Sequence, residues 1–147
     1  MLDDMIDAWR ANNAISLELL GLCPDETFEF KPGKGKTIRS NFVHIVSVRR
    51  MKLEERGIPG SKTLPKLDWK TATRQEIREG LSLTSDLMPA LFEKQIEKPN
   101  RFSAAKLLAY LVAHEAHHRS QIEIALRLNE AEPDDMKLFA LWDWSKK

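Results

Sequence analysis

Ala113-His114-Glu115-Ala116-His117-His118-Arg119-Ser120-Gln121-Ile122 holds three of the chain's four histidines. It lies inside a longer stretch, Ser103 to about Leu128, in which Leu107, Leu108, Leu111, Ile122, Ala125 and Leu126 recur with a helical period. A helix turns by roughly 100° per residue, so the positions can be sorted by angle. Measured from the Leu111/Ile122 stripe, His118 points into the core and His114 lies just beside it. His117 falls roughly 110° away, at the edge or outside. A spacing of four sets His114 and His118 one turn apart on one face, where both can reach one ion.

The fourth histidine, His44, belongs to an earlier helical pattern in which Thr37, Asn41, His44, Val48 and Met51 alternate spacings of four and three. Ile38, Phe42 and Ile45 widen that stripe. A Pro-Gly-Lys-Gly loop from Pro32 to Gly35 precedes it, and Thr37 suits the N-cap. His44 therefore supplies a third inward imidazole from a second helix. Three imidazoles in an apolar core are costly unless satisfied, and a shared metal ion satisfies all three.

Two more helices are readable. The first runs from about Leu2 to Leu20, with Leu2, Met5, Ile6, Trp9, Leu17 and Leu20 near one face, and Pro24 stops it. The other opens at Thr73-Arg74-Gln75-Glu76, a capping box, and presents Ile77, Leu81, Thr84, Met88 and Leu91. Pro89 is expected to kink that helix or end it early. Residues 57–72 lack a helical period and contain Pro59 and Pro65, a long connection for a bundle. In the tail, Phe139, Leu141, Trp142 and Trp144 are expected to cover one end of the bundle. Nothing reads as a strand. The expectation is an all-α chain: one domain over residues 1–147, built as a four-helix bundle with a long connection between its second and third helices.

Composition narrows the function. Hydrophobic residues make up 42% of the 147 and charged residues 31%, an ordinary soluble balance. The net charge of +1 exerts no global pull on nucleic acid or anionic membrane. Lys31, Lys34, Lys36, Arg39, Arg49, Arg50 and Lys52 form a basic cluster that reads as solvated surface, so no nucleic-acid partner is expected. The longest apolar run, Leu107 to Ala113, is too short to span a bilayer. The single cysteine, Cys23, cannot form an internal disulfide and reads as a small packed hydrophobe. A cytoplasmic location is expected.

His114-Glu115-Ala116-His117-His118 also matches the His-Glu-x-x-His signature of zinc proteases. The protease reading fails. The extended form needs Gly at 121 and His at 124, where the chain has Gln121 and Ile124, and neither a histidine after His118 nor the expected strands exist. Glu115 remains a general base or a group supporting the ligands. Its alternative is a helix-edge carboxylate paired with Arg119 at i+4.

The Pro-Gly loop, Asn41-Phe42-Val43-His44-Ile45 and the run from Ala113 to Ile122 together resemble the DinB-like (DinB/YfiT) family over nearly the whole chain. The family pattern on the last helix reads His-x-x-His-His-Arg-Gly-Gln, and this chain departs from it at Ser120. The resemblance implies an up-down-down-up bundle, a ligand set of His44, His114 and His118, and frequent homodimers. Trp69, Trp142 and Trp144 are candidate exposed aromatics for such a dimer. Characterised relatives include metal-dependent transferases that use low-molecular-weight thiols, and a thiol-dependent isomerase.

The expected function is that of a metal-dependent enzyme acting on a small molecule, by thiol transfer to an electrophile or by hydrolysis. The alternative is a non-catalytic metal-binding or structural bundle. Imidazole suits several divalent ions, with zinc or nickel favoured and iron or manganese as further options. Any reacting thiol would come from a cofactor rather than Cys23. A pocket at the end of the bundle is expected, walled by Asn41, Val48, Leu111 and Ile122, with Trp9 adding to it.

Overall fold

A computed structural model describes residues 1–147. The chain is all-helical, with α1 Leu2–Gly21, α2 Ile38–Glu55, α3 Arg74–Glu97, α4 Ala104–Leu128 and a short α5 Asp135–Leu141. No segment is a strand. No helix is long and apolar enough to cross a membrane.

Local chemistry sets the helix starts. Thr37, Ser103 and Asp134 each accept a hydrogen bond from the backbone N–H three residues on, closing an otherwise unpaired donor. Thr73 and Glu76 form the reciprocal capping box expected of them. Pro89 does not end α3, which continues to Glu97. Met88, Leu91 and Phe92 are fully buried around it. Their burial, about 2 kcal/mol for each side chain, outweighs the roughly 3 kcal/mol cost of an internal proline.

α1 and α2 each pack on α3 and α4. Asn12 meets Glu115 and Ser16 meets Arg119, so contacts step the same way along α1 and α4. Asn41 meets His118 and Arg49 meets Glu115, so they step in opposite senses along α2 and α4. Arg74 donates to the Leu20 carbonyl while Trp9 donates to Ser85, opposite senses along α1 and α3. Arg39 reaches the Ala72 carbonyl and Lys94 the Arg56 carbonyl, so α2 and α3 run the same way.

The core has two apolar clusters. One gathers Leu19, Leu20, Phe42, Ile45, Leu81 and Ile122 with their neighbours. The other gathers Trp9, Leu53, Met88, Phe92, Leu107 and Leu111. On α1, α3 and α4 the buried polar residues Asn12, Thr84 and Glu115 fall between the two. Gly80 lets α3 lie close against its neighbours, since a Cβ there would stand 3.0 Å from Val46 and 3.1 Å from Leu67. Leu67 lies in the long connection, which is thereby tucked against the helices.

Three expectations are corrected. Met51, placed on the inner stripe of α2, is exposed, and the stripe passes instead through Arg49, Lys52 and Leu53. Arg49, read as solvated, is completely buried. In the tail, Leu141 is buried and Leu138 packs against the core, whereas Phe139 is 69% and Trp142 67% exposed. The spacing of three between Leu138 and Leu141 uses the inner face of α5, so the aromatics turn outward.

Candidate metal centre

His44 on α2 and His114 and His118 on α4 converge, with one ligand nitrogen from each lying within 4.8 Å of the others. The Nε2 atoms of His44 and His114 are 3.3 Å apart. Two donors held tetrahedrally at about 2.05 Å from one ion stand roughly 3.3 Å from each other, so the spacing fits a shared divalent cation. The rings of His118 and its neighbours are close as well, 4.5 Å from His44 and 4.7 Å from His114 between centroids.

Asn41 determines which nitrogen of His118 is free. Its Nδ2 donates to the Lys36 and Thr37 carbonyls, so its Oδ1 must be the acceptor facing His118 Nδ1 at 2.8 Å. His118 therefore carries its proton on Nδ1 and directs the Nε2 lone pair elsewhere, the arrangement that supports a metal-ligating histidine. Asn41, one turn before His44, thus orients a ligand from the neighbouring helix and also ties down the loop at Lys36. His114 stacks on Tyr110, and its buried Nδ1 has no hydrogen-bond partner. A ring with one orphaned nitrogen and another facing a second imidazole is poorly satisfied unless a cation lies between them.

Electrostatics keeps these rings in the ligating, neutral form. Burial lowers the His118 pKa to about 3, helped by the charges of His44, His114, His117 and Lys36. Burial also lowers His44, with His114 and Lys36 acting in the same direction. His114 is lowered by burial as well, against the pull of Glu115. His117 stays outside the cluster and exposed, its ring meeting His118 edge-on at 5.1 Å.

Glu115 is not at a helix edge. It lies fully buried, and Arg49 donates to it twice, Nε to Oε1 at 2.6 Å and Nη2 to Oε2 at 2.8 Å. Asn12 Nδ2 donates to Oε2 at 2.8 Å, while Arg119 approaches only to 3.6 Å. Arg49 is fixed in turn by Asn13, the Leu81 carbonyl and the face of Trp9. Neither Arg49 nor Asn12 was anticipated. A signal existed: Arg49 continues the 38-42-45 spacing of α2, and Glu115 lies between Leu111 and Ile122 on α4.

A cavity of about 450 Å³ opens beside His44. Its walls are not those expected. Of the anticipated residues, Val48, Leu111 and Ile122 are core, as is Trp9. The cavity is instead walled by the side of α2 that carries Ser40, Val43, His44 and Ser47, by the loop before it and by the connection after it.

The sequence model of the DinB family matches residues 1–144. The chain belongs to the DinB family. No curated protein and no solved structure matches it. In this DinB-family chain the three-histidine cluster is compatible with metal binding.

Proposed function

We propose that this DinB-family chain is a metal-dependent enzyme that holds one divalent ion through His44, His114 and His118. The favoured ions are zinc and nickel, with iron or manganese as further options. The reaction is transfer of a low-molecular-weight thiol to a small electrophile, or hydrolysis of a small molecule. One observation carries the reading: three neutral imidazoles converge within 4.8 Å, and one of them, His44, lines an open cavity. An ion held by these three residues would supply Lewis acidity, acidifying a water or thiol or polarising a carbonyl.

The chain's own residues prepare that site. Asn41 fixes the tautomer and aim of His118. His44 lines the cavity and meets a molecule entering it. Glu115 has both oxygens engaged by Arg49, so we assign it to positioning α4, and with it His114, rather than to moving protons. Cys23 is buried and its thiol is pushed up to about 12 by burial, so a reacting thiol comes from a separate small molecule. A protonated, unpaired thiol also suits the reducing cytoplasm, where we place the protein.

We further propose a single domain over residues 1–147, an up-down-down-up four-helix bundle, acting as a homodimer. The pairwise senses of α1 to α4 support the bundle. The exposed Met136, Phe139 and Trp142 support the dimer.

The test is a screen of metal-loaded protein against low-molecular-weight thiols with electrophiles, and against hydrolysable esters. We expect turnover that is lost in His44→Ala. An ion that stays bound with no turnover above the metal-free protein would establish the rival, a non-catalytic bundle.

A further inference from the structure

The cavity beside His44 has a chemical bias. It is lined by Ser40, His44 and Ser47 of α2 and by Trp69 from the long connection. Two cations, Lys31 and Lys36, come from the loop before α2, and no carboxylate lines the cavity at all. The whole chain is nearly neutral at +1, so this imbalance is local. Neither lysine takes part in any of the protein's ion pairs. Both ammonium groups are therefore free to donate to a guest.

The loop that carries the two lysines is anchored through its backbone. Asn41 Nδ2 donates to the Lys36 carbonyl, and Asn129 Nδ2, at the end of α4, donates to the Lys31 carbonyl. Both ends of the lysine-bearing loop are thus pinned to helices. Lys36 and His44 line the same cavity. Lys70 sits over the Trp69 ring at 4.9 Å, a third positive charge beside a residue that lines the cavity. At about 450 Å³ the space matches a small organic molecule rather than a peptide or a single ion.

We propose that this cavity is the substrate pocket and that it selects small organic anions, gripping a carboxylate or phosphate with Lys31 and Lys36 while the body of the molecule lies against Trp69. The selection for anions stands on the cavity alone, whereas its role as a substrate pocket rests on the metal reading of His44, His114 and His118.

The test uses the full chain stripped of metal by a chelator, titrated separately with phenyl phosphate, benzoate and uncharged benzyl alcohol. Tryptophan fluorescence is the readout, and Trp69→Phe should remove the response. We expect saturable binding of at least one anion. Lys31→Ala and Lys36→Glu should each weaken it by about tenfold or more, the worth of one charge-assisted hydrogen bond. The stronger of the two anions identifies the headgroup. Benzyl alcohol binding as tightly as the anions, or affinities unmoved in both lysine variants, would overturn the proposal. Metal content is measured alongside. Lysine-dependent anion binding in a chain that takes up no ion would sink the metal reading and leave the anion site standing. Normal metal uptake without lysine-dependent binding would do the reverse.

Discussion

Arg49 and Glu115 lie 66 residues apart and meet through two parallel hydrogen bonds, with both side chains essentially withdrawn from water. The pair joins α2 to α4, the two helices that carry the clustered histidines. Glu115 directly follows His114, so the pair constrains how far α4 can slide along α2.

Removing one partner leaves a buried, uncompensated charge. Arg49→Met or Glu115→Leu alone should destabilise the fold by about 3–5 kcal/mol. The double variant replaces the pair with apolar groups and should recover part of that loss, since Asn12 and the buried Arg119 still lose Glu115. Urea unfolding of the four proteins checks this. A double variant as unstable as the worse single one would show that the pair does not act as a unit.

Metal content should track the geometry. His44→Ala, His114→Ala and His118→Ala are each expected to lose the ion, and His117→Ala to keep it, because His117 is outside the cluster. Elemental analysis of the purified variants decides. Loss in His117→Ala with retention in His114→Ala would refute the assignment.

Asn41 offers a finer probe. Asn41→Ala removes the acceptor that holds His118 Nδ1, and metal affinity should fall by about 10–100-fold. Asn41→Asp keeps an acceptor there and should stay nearer the parent protein. Competition with a chromophoric chelator gives the ratios, and equal losses in the two variants would argue against orientation of His118.

The metal-free protein should lose stability in acid in a defined window. The folded His118 titrates near 3, whereas an unfolded histidine titrates at the ordinary value of 6.5. Between those values the unfolded chain binds more protons, so stability falls as pH drops below about 6.5 and this contribution levels off near 3. His44 and His114 act in the same sense. Thermal midpoints across this range should decline less steeply in His118→Gln. Parallel curves for the two proteins would count against it.

The aromatics of the tail bear on assembly. Phe139 and Trp142 are largely exposed on or just after α5, and Phe139→Ser with Trp142→Ser should convert a dimer to a monomer. Light scattering at micromolar concentration reads the mass. A parent protein that is already monomeric would dismiss the dimer.

Much of this molecule was legible in its residues because the relevant signals are local. Thr37, Thr73 and Ser103 begin helices through contacts spanning three residues, which a short stretch of sequence is enough to reveal. Angular sorting of His114, His117 and His118 needs only helix geometry. Arg49 was misread because its meaning depends on Glu115, and an isolated arginine scores as surface. The cavity was misplaced for a related reason. Its walls come partly from residues 57–72, which carry no period to say where they lie. Pro89 does not end α3, because the cost of an internal proline is local whereas the burial of Leu91 and Phe92 that offsets it is a property of the packed bundle.

The separation between Arg49 and its carboxylate also bears on how the chain is made. Synthesis delivers α1, α2 and α3 before any of α4. Until residue 115 leaves the ribosome, Arg49 has no acidic partner and must remain hydrated. The buried pair can therefore close only when the last long helix docks, and the same docking is what carries His114 and His118 to His44.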